Sequence, residues 1–247
     1  ADNQESVEVV MDVEFQTGIP YEIEVIGLKD EAGNSLRNTS KVTGLSEPLN
    51  VGDVVFNEVM FHQADSAAEY IEFYNRSGKV IDMSGMVFTT LKSDGSLNSG
   101  NKIPTETLIF PSDYLAVTND TGAVRKYHAC PPDAKIIQSG WSALNNESST
   151  LVLTNPAKDT IVDSFRYDVS MHHVLVKNPK GVALERINPT WPVQDANSWH
   201  SAASSHNFGT PGFMNSQYIT VDDSLEEDRQ SFYLENPIFS PDNDGNN

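Results

Sequence analysis

Val-Val-Phe-Asn-Glu-Val-Met-Phe at residues 54–61, followed by Glu-Tyr-Ile-Glu-Phe-Tyr at residues 69–74, is the stretch that decides the fold class of this chain. The second segment alternates strictly, with Ile71 and Phe73 on one face and Glu72 between two tyrosines on the other. A period of two is typical of a β-strand, whose successive side chains point to opposite faces. The two segments are therefore predicted to be β-strands.

Short strand candidates of the same kind continue along the chain, separated by Gly, Ser or Asp. They are residues 80–83, 86–91, 107–110, 114–118, 150–154, 161–167, 174–177 and 182–187. Nothing predicts a long amphipathic helix, and residues 123–128 are expected to form one or two helical turns. Many short strands at this spacing indicate an all-β sandwich or barrel. The alternation predicts a core that includes Phe56, Ile71, Phe73, Leu151, Leu153, Phe165 and Leu184.

The composition is that of a folded chain. Hydrophobic residues make up 38% of the 247 residues, and the length suits one large β-domain with partial neighbours or two small domains. No run approaches the ~18 consecutive apolar residues that a membrane-spanning helix needs. The first five residues, Ala-Asp-Asn-Gln-Glu, do not resemble a signal segment, and we expect them to be the interior of a longer protein.

The formal net charge of −19 is concentrated at the two ends of the chain. Residues 1–50 and 218–247 carry −7 each, whereas residues 51–217 carry −5. A strongly acidic chain with scattered Lys and Arg repels phosphate backbones, which argues against a nucleic-acid partner. We interpret the acidic flanks as a means of keeping an extracellular protein soluble.

The segments outside the central strands differ from them in composition and periodicity. Residues 7–15 and 20–28 alternate and have a turn at 17–20 between them, so they predict a β-hairpin. Residues 188–217 are rich in Pro, Asn, Ser and Gly but hold two tryptophans and two phenylalanines, so we expect an ordered, irregular wrap. Residues 221–230 are predicted to be a flexible acidic hinge.

Three separated stretches resemble the lamin tail domain of bacterial proteins. The first runs from Asp-Val-Val-Phe-Asn-Glu-Val (53–59) through Glu-Tyr-Ile-Glu-Phe-Tyr-Asn (69–75) to Ile-Asp-Met-Ser-Gly (81–85). The second joins Leu-Val-Leu-Thr-Asn (151–155) to Ile-Val-Asp-Ser-Phe-Arg-Tyr (161–167). The third combines Ala-Leu-Glu-Arg-Ile (183–187), Asn-Ser-Trp-His-Ser-Ala (197–202) and Gly-Thr-Pro-Gly (209–212). Their order is similar to that of the family, although Met86 stands where the family often has Trp and residues 93–102 form an unusually polar insert.

The resemblance implies an immunoglobulin-like antiparallel β-sandwich over residues 51–217, a module without a catalytic role. Residues 1–50 resemble the C-terminal part of a bacterial immunoglobulin-like domain. Residues 218–247 resemble an acidic linker and the first strand of a following immunoglobulin-like module of Bacteroidetes surface proteins. The resemblance therefore implies a fragment of a multidomain protein, with partial β flanks on the central sandwich.

Glu58, Glu69 and Glu72 are the candidates for a pair of catalytic carboxylates. Glu72 shares its predicted face with two tyrosines, which favours a solvated or hydrogen-bonded surface over catalysis. Glu58 alternates with apolar residues, so either it is buried with a partner or those residues face outward.

The remaining reactive side chains form no recognisable constellation. The histidines at positions 62, 128, 172, 173, 200 and 206 match no metal-binding spacing such as H-x-H or H-E-x-x-H. Cys130 is the single cysteine, so no internal disulfide can form, and its Cys-Pro-Pro context offers no base to activate a thiolate. Gly-Trp-Ser-Ala-Leu at 140–144 lacks the second glycine of a nucleophile elbow.

Asp242, Asp244 and Asn246 form a cluster of hard oxygen ligands within Asp-Asn-Asp-Gly-Asn. Such ligands suit calcium, although the glycine comes too early for an EF-hand loop and no glutamate follows it. A tight Asp-Gly turn is the alternative interpretation. No other cofactor is expected.

These observations predict a non-catalytic structural, adhesion or interaction module of a secreted or cell-surface multidomain bacterial protein. The expected partners are another protein, a cell-surface glycan and the neighbouring immunoglobulin-like domains of the same chain. Two alternatives stay open. The first is an accessory domain of an extracellular hydrolase, such as a nuclease or phosphoesterase. The second is a glycan-binding module, for which Trp141, Trp191 and Trp199 supply aromatic surfaces.

Overall fold

The computed structural model describes residues 12, 14–35 and 37–220, and these form short strands with little helix. The helical elements are α1 (Thr121–Tyr127) and three single-turn 3-10 helices at Val169–Met171, Ala196–Ser198 and Ser204–His206. The strands are β1 (Tyr21–Val25), β2 (Thr39–Thr43), β3 (Val54–Met60), β4 (Tyr70–Asn75), β5 (Ile81–Asp82), β6 (Val87–Thr90), β7 (Asn101–Lys102), β8 (Leu108–Ile109), β9 (Tyr114–Thr118), β10 (Ile136–Gln138), β11 (Ser148–Thr154), β12 (Ile161–Asp168), β13 (Leu184–Arg186) and β14 (Trp199–Ser201).

Two sheets carry most of the strands. One has six strands in the order β10-β9-β4-β3-β13-β14, and the other has four in the order β12-β11-β6-β7. All neighbouring strands in them run antiparallel except β9 and β10, which run parallel. β5 and β8 form a separate antiparallel pair. The prediction of an all-β, antiparallel sandwich is confirmed.

The core lies between the two sheets and is largely apolar. All seven predicted core residues are at most 1% exposed and belong to one hydrophobic cluster. Trp199 of β14 extends this cluster, because its ring stacks on Phe165 of β12 with the ring centroids 3.7 Å apart. Full burial of an aromatic or aliphatic side chain contributes about 1.5–3 kcal/mol. This packing therefore provides the main driving force for joining the two sheets.

A β-bulge in β3 decides which way its side chains point. The register with β4 pairs Phe56 with Phe73 and then Glu58 with Glu72, so Asn57 is an extra residue in β3. Phe56 before the bulge and Val59 after it both enter the core. The strict alternation expected from the sequence is thereby broken, and Glu58 moves to the outer face of the six-stranded sheet.

The free edge of β12 is occupied by non-strand groups. The Gly52 N–H donates to the Val162 carbonyl at 3.0 Å. Further along, Gln194 donates its amide to the Ser164 carbonyl at 2.6 Å and accepts from the Arg166 N–H at 3.4 Å. The side-chain amide thus makes both hydrogen bonds that a peptide group of a neighbouring strand would make.

The N-terminal described part is a two-stranded unit beside the sandwich. β1 pairs with β2, with Tyr21 opposite Thr43, so the partner of β1 follows it in sequence. The sequence predicted that residues 20–28 pair with residues 7–15, whereas β1 pairs with β2. Most of residues 7–15 lie outside the described residues. The Glu47 N–H donates to the Val80 carbonyl at 2.8 Å and ties the unit to the sandwich.

Two further sequence expectations have different outcomes. The predicted helical turns at 123–128 correspond to α1, whose N-terminus is capped by the side chain of Asp120. The strand predicted at 174–177 is wrong, because this segment is a loop in which Val174 and Leu175 are 88% and 79% exposed. Within the described part of the chain, no helix has the length and apolar character needed to cross a bilayer.

Candidate functional site

Three glutamates form a row across the outer face of the six-stranded sheet. Glu185 of β13 lies opposite Glu58 of β3, and Glu58 in turn lies opposite Glu72 of β4. All three side chains are fully buried. Like charges placed directly opposite each other destabilise a sheet, and buried charges require partners. The row therefore has to be neutralised or hydrogen-bonded by something on top of it.

The cover is the closing segment, which we define as residues 209–219. Its last described hydrogen bond to the sheet runs from the Ile219 N–H to the Ile187 carbonyl at 2.8 Å. Gly209 has no room for a side chain, because a Cβ there would meet the Tyr70 hydroxyl and the His128 ring. Gly212 has a φ of +87°, and a Cβ would approach that of Ala134 to 2.8 Å. Both glycines allow the segment to lie close to the sheet.

The closing segment donates to every glutamate in the row. The Thr210 N–H donates to Glu58 at 2.9 Å, and the Gly212 N–H donates to Glu72 at 2.6 Å. Glu185 accepts from the Ser216 hydroxyl at 2.8 Å and from the Gln217 N–H at 2.9 Å. Hydrogen bonds to an ionised or polarised carboxyl are the stronger kind in proteins.

Side chains of the sheet complete the set of donors. The Tyr70 hydroxyl donates to Glu58 at 2.6 Å, and the Asn57 amide donates to Glu72 at 2.7 Å. Asn57 also donates to the side chain of Asn215 at 2.9 Å, so the extra residue of the bulge joins the sheet to the closing segment. The bulge therefore has a role beyond redirecting the strand.

The Thr210 hydroxyl lies between two carboxyls of the row, an arrangement that fits a proton bound to one of them. Its oxygen lies 3.0 Å from Glu58 Oε2 and 2.9 Å from Glu185 Oε1. A hydroxyl has one hydrogen to donate, whereas an ionised carboxylate has none. If both contacts are hydrogen bonds, one of the two carboxyls donates to Thr210. The geometry thus fits a row that shares a proton.

The pKa values of the row agree with this inference. Burial, together with the charge of Glu185, raises the pKa of Glu58 to about 8. Burial and the neighbouring Glu58 raise the pKa of Glu72 well above its usual value. Burial also raises the pKa of Glu185. Desolvation disfavours the charged form of a carboxyl, so each proton that stays bound relieves the repulsion in the row.

The nearest buried cation in sequence points away from the row. Arg186 follows Glu185 in β13 and donates to the Phe56 carbonyl at 3.1 Å and to the Trp191 carbonyl at 2.5 Å. Burial lowers the pKa of Arg186 to about 10, and the charge of Asp163 opposes that shift. No described residue forms an ion pair with Glu58, Glu72 or Glu185 within 4 Å.

Glu69, the third sequence candidate, lies apart from the row. Its carboxylate accepts from the Trp141 indole at 2.6 Å and from the Leu144 N–H at 3.0 Å. Burial raises its pKa, and these two hydrogen bonds oppose the rise. Glu69 therefore holds the connection before β11 in place and does not pair with Glu58 or Glu72.

Glu185 was not among the candidates chosen from the sequence. It sits in Ala-Leu-Glu-Arg-Ile (183–187), where it is the one acidic residue of a short predicted strand. The Gly-Thr-Pro-Gly motif at 209–212 supplies two of the backbone donors to the row. Polar residues from stretches that are far apart in sequence thus meet at one place in the fold. Their distance along the chain gives no sign of this contact.

The histidines and the cysteine lie outside the glutamate row. His128 and His172 are buried, and burial lowers the pKa of each to about 4. His173 and His200 are exposed. Cys130 is half-buried, and burial raises the pKa of its thiol to about 11, so the thiolate is disfavoured.

The described residues offer no ready metal site. Among residues 12, 14–35 and 37–220, no group of three or more His, Cys, Asp or Glu side chains is arranged to hold a metal ion. The calcium candidates Asp242, Asp244 and Asn246 lie outside the described residues. Calcium binding at that cluster stays a prediction.

The tryptophans do not form an exposed row. Trp199 is 2% exposed and belongs to the core, and its indole donates to the Val193 carbonyl at 2.8 Å. Trp141 is half-buried, packs against Phe88 and is bound to Glu69. A sugar platform built from these aromatic rings, as considered from the sequence, has no support in their positions.

The row is built to hold the closing segment rather than to process a substrate. General acid-base catalysis requires a carboxyl within reach of a bound molecule. Here the carboxyls are fully buried and their oxygens are already engaged by Tyr70, Asn57 and the closing segment. Because each glutamate receives at least one donor from that segment, the row fixes it on the sheet.

Comparison with known proteins supports the domain that the motifs predict. The family model of the Lamin Tail Domain matches residues 47–168 of this chain. That family is a non-catalytic, immunoglobulin-like β-sandwich, and the two packed sheets agree with it. The match ends before Glu185 and Thr210, so part of the glutamate row and its cover follow the matched region. No curated protein matches the chain.

Proposed function

We propose that this chain is a non-catalytic structural or adhesive module of a multidomain bacterial protein that is exported to the cell surface. The match of residues 47–168 to the Lamin Tail Domain supports a structural role, because that family is non-catalytic. The observation that most supports a structural role is the buried glutamate row. The strongest concentration of acidic groups in the sandwich is used to hold the closing segment on the sheet.

A surface location is supported by the charge of the chain. The formal net charge is −19, with 35 acidic and 16 basic residues. High net charge favours solubility. We propose that the module works outside the cell. Protease treatment of intact source cells should then remove the module while a cytoplasmic marker stays whole, and a module protected until lysis would contradict export.

Neighbouring modules are supported by the apolar surface of the N-terminal unit. Ile26 of this unit is 64% exposed, and Leu28, Val42, Leu45 and Ile19 are between 44% and 48% exposed. A two-stranded unit is marginal by itself, and five exposed apolar side chains in so short a segment are a reason to expect a covering partner. We propose that residues 1–50 are the end of an immunoglobulin-like domain and that residues 218–247 begin another.

The test of a non-catalytic role is an activity panel. We expect the purified chain to show no turnover of nucleic acid, phosphoester, peptide or glycoside substrates. Two described serines contact a histidine, Ser201 with His172 and Ser205 with His206, but no described carboxylate is hydrogen-bonded to either histidine to complete a catalytic triad. Matched preparations of Glu58→Gln, Glu72→Gln and His200→Ala separate a contaminant from the protein. A turnover that disappears in any of these variants would show that the chain is an enzyme. A turnover shared by all four preparations would not depend on Glu58, Glu72 or His200.

A further inference from the structure

A cavity of about 280 Å³ opens at the side of the sandwich away from the glutamate row. It lies between the β6–β7 hairpin and the connection before β11. The edges of Ile71, Phe88 and Leu151 form its floor, and each of these side chains is at most 3% exposed. The cavity thus reaches the hydrophobic core between the two sheets, and its floor is apolar before any ligand binds.

The wall of the cavity is polar but uncharged. Thr90, Asn98, Asn101 and Ser142 line it, and none of its lining residues is Asp, Glu, Lys, Arg or His. Charged residues make up 21% of the chain, so the absence of charge here distinguishes the cavity from the rest of the surface. The nearby Lys158 donates to the carbonyl of the lining residue Ser99 but does not itself line the cavity. An ionic ligand such as a phosphate or a carboxylate would therefore find no cation in the wall and would lose its hydration.

Two asparagines are positioned by the wall and keep hydrogen-bonding capacity. The Asn98 amide donates to the Thr90 hydroxyl at 2.8 Å, and the Asn101 amide lies 3.5 Å from the Ser142 hydroxyl, at the outer limit for a hydrogen bond. Among the described residues, no donor is found for the side-chain oxygen of either asparagine. Each of these oxygens can therefore accept from a hydroxyl group of a ligand.

The cavity combines an apolar floor, neutral donors and acceptors, and space for one small ring. Small-molecule sites usually have this mixture at volumes of about 300–1,000 Å³. The cavity volume of about 280 Å³ lies just below that range and limits the ligand to one ring. An apolar ligand would give the side-chain oxygens of the two asparagines no hydrogen-bond donor. A sugar ring meets all three requirements, because its C–H groups can face Phe88 while its hydroxyls bind the wall. We propose that this cavity binds one neutral hexopyranose unit of a glycan.

The test is a titration of the intact chain with D-glucose, D-galactose, D-mannose and N-acetyl-D-glucosamine, followed by ¹H–¹⁵N chemical shifts. We expect at least one of these sugars to cause saturable shifts, with a millimolar dissociation constant, at residues 98–101 and 140–144. Glucuronic acid and glucose 6-phosphate should bind at least tenfold more weakly, because the wall has no cation. Folded protein without shifts for all four sugars, or a preference for the charged sugars, would overturn the proposal.

Three variants locate the site. Ser142→Phe places a ring over the opening from an exposed position, and Asn98→Ala removes one wall amide, so each should weaken binding at least tenfold. Asn146→Ala is the matched control, because Asn146 is exposed in the same connection but does not line the cavity. Unchanged affinity in the first two variants, or shifts confined to another surface, would show that the sugar binds elsewhere. Such a result would remove the sugar site and leave the proposed structural role standing.

Discussion

The two faces of the six-stranded sheet are both buried, but by different means. The inner face presents Phe56, Ile71 and Phe73 to the opposing sheet, and their stability comes from removing apolar surface from water. The outer face presents Glu58 and Glu72, which are covered by backbone N–H groups and hydroxyls. One sheet is thus closed on one side by apolar packing and on the other by directed hydrogen bonds to carboxyls whose pKa values are raised.

This difference makes the two faces respond differently to pH. Burial of apolar side chains involves no titration. The outer face holds Glu58 with a pKa raised to about 8, so that its folded form binds a proton that the unfolded chain releases above about 4.5. Proton binding by the folded state adds stability at low pH, and this contribution is lost as the pH rises toward the folded pKa.

The largest effect is expected on the inner face. Phe73→Ala should lower the free energy of unfolding by about 3–5 kcal/mol, because it leaves a cavity in the core. Urea denaturation at pH 6 and pH 8.5 should give the same loss at both values. The matched control is Ile161→Ala on β12, where the side chain is 50% exposed and the loss should stay below about 1 kcal/mol. A loss that changed with pH would show that the two faces are not separable.

An effect that depends on pH is expected on the outer face. Glu58→Gln imitates the protonated carboxyl, since its amide nitrogen can donate to the Thr210 hydroxyl while its oxygen accepts. Between pH 4.5 and about 8 the wild type should lose stability relative to this variant, by up to about 1.4 kcal/mol per pH unit. Urea denaturation across pH 5 to 9 measures the difference. Parallel curves for the two proteins would contradict a protonated Glu58.

Thr210→Val is the control that separates hydrogen bonding from titration. It removes the hydroxyl between Glu58 and Glu185 but no ionisable group. We expect it to lower stability by about 1–3 kcal/mol, because carboxyl oxygens lose a buried donor. The dependence on pH should persist in this variant. If the free energy of unfolding of Thr210→Val did not change with pH, the raised pKa would depend on the Thr210 hydroxyl.

The inner face could be predicted from the sequence because local alternation and the family resemblance both point to the same apolar residues. Phe56, Ile71, Phe73 and Leu153 were assigned to the core from a period of two, and burial confirms them. Local pattern is sufficient here, since every alternate apolar residue of a half-buried strand faces the same way.

The outer face could not be predicted because it depends on contacts distant in sequence. Asn57 adds one residue to β3, and this bulge changes the face on which Glu58 lies. Thr210 lies 152 positions from the glutamate to which it donates. Neither a bulge nor such a distant donor leaves a periodic signal. The sequence did predict an ordered wrap over residues 188–217, but not that its backbone would bind three carboxyls.

Gln194 gives the sandwich a property that matters most when copies are close together. An open edge of an eight-residue strand invites another chain to extend the sheet, which is how folded domains begin to aggregate. Domains tethered in one chain meet at effective concentrations in the millimolar range. The amide of Gln194 occupies the docking positions at Ser164 and Arg166. The neutral side chain of Gln194 thus blocks edge-to-edge strand pairing between neighbouring domains.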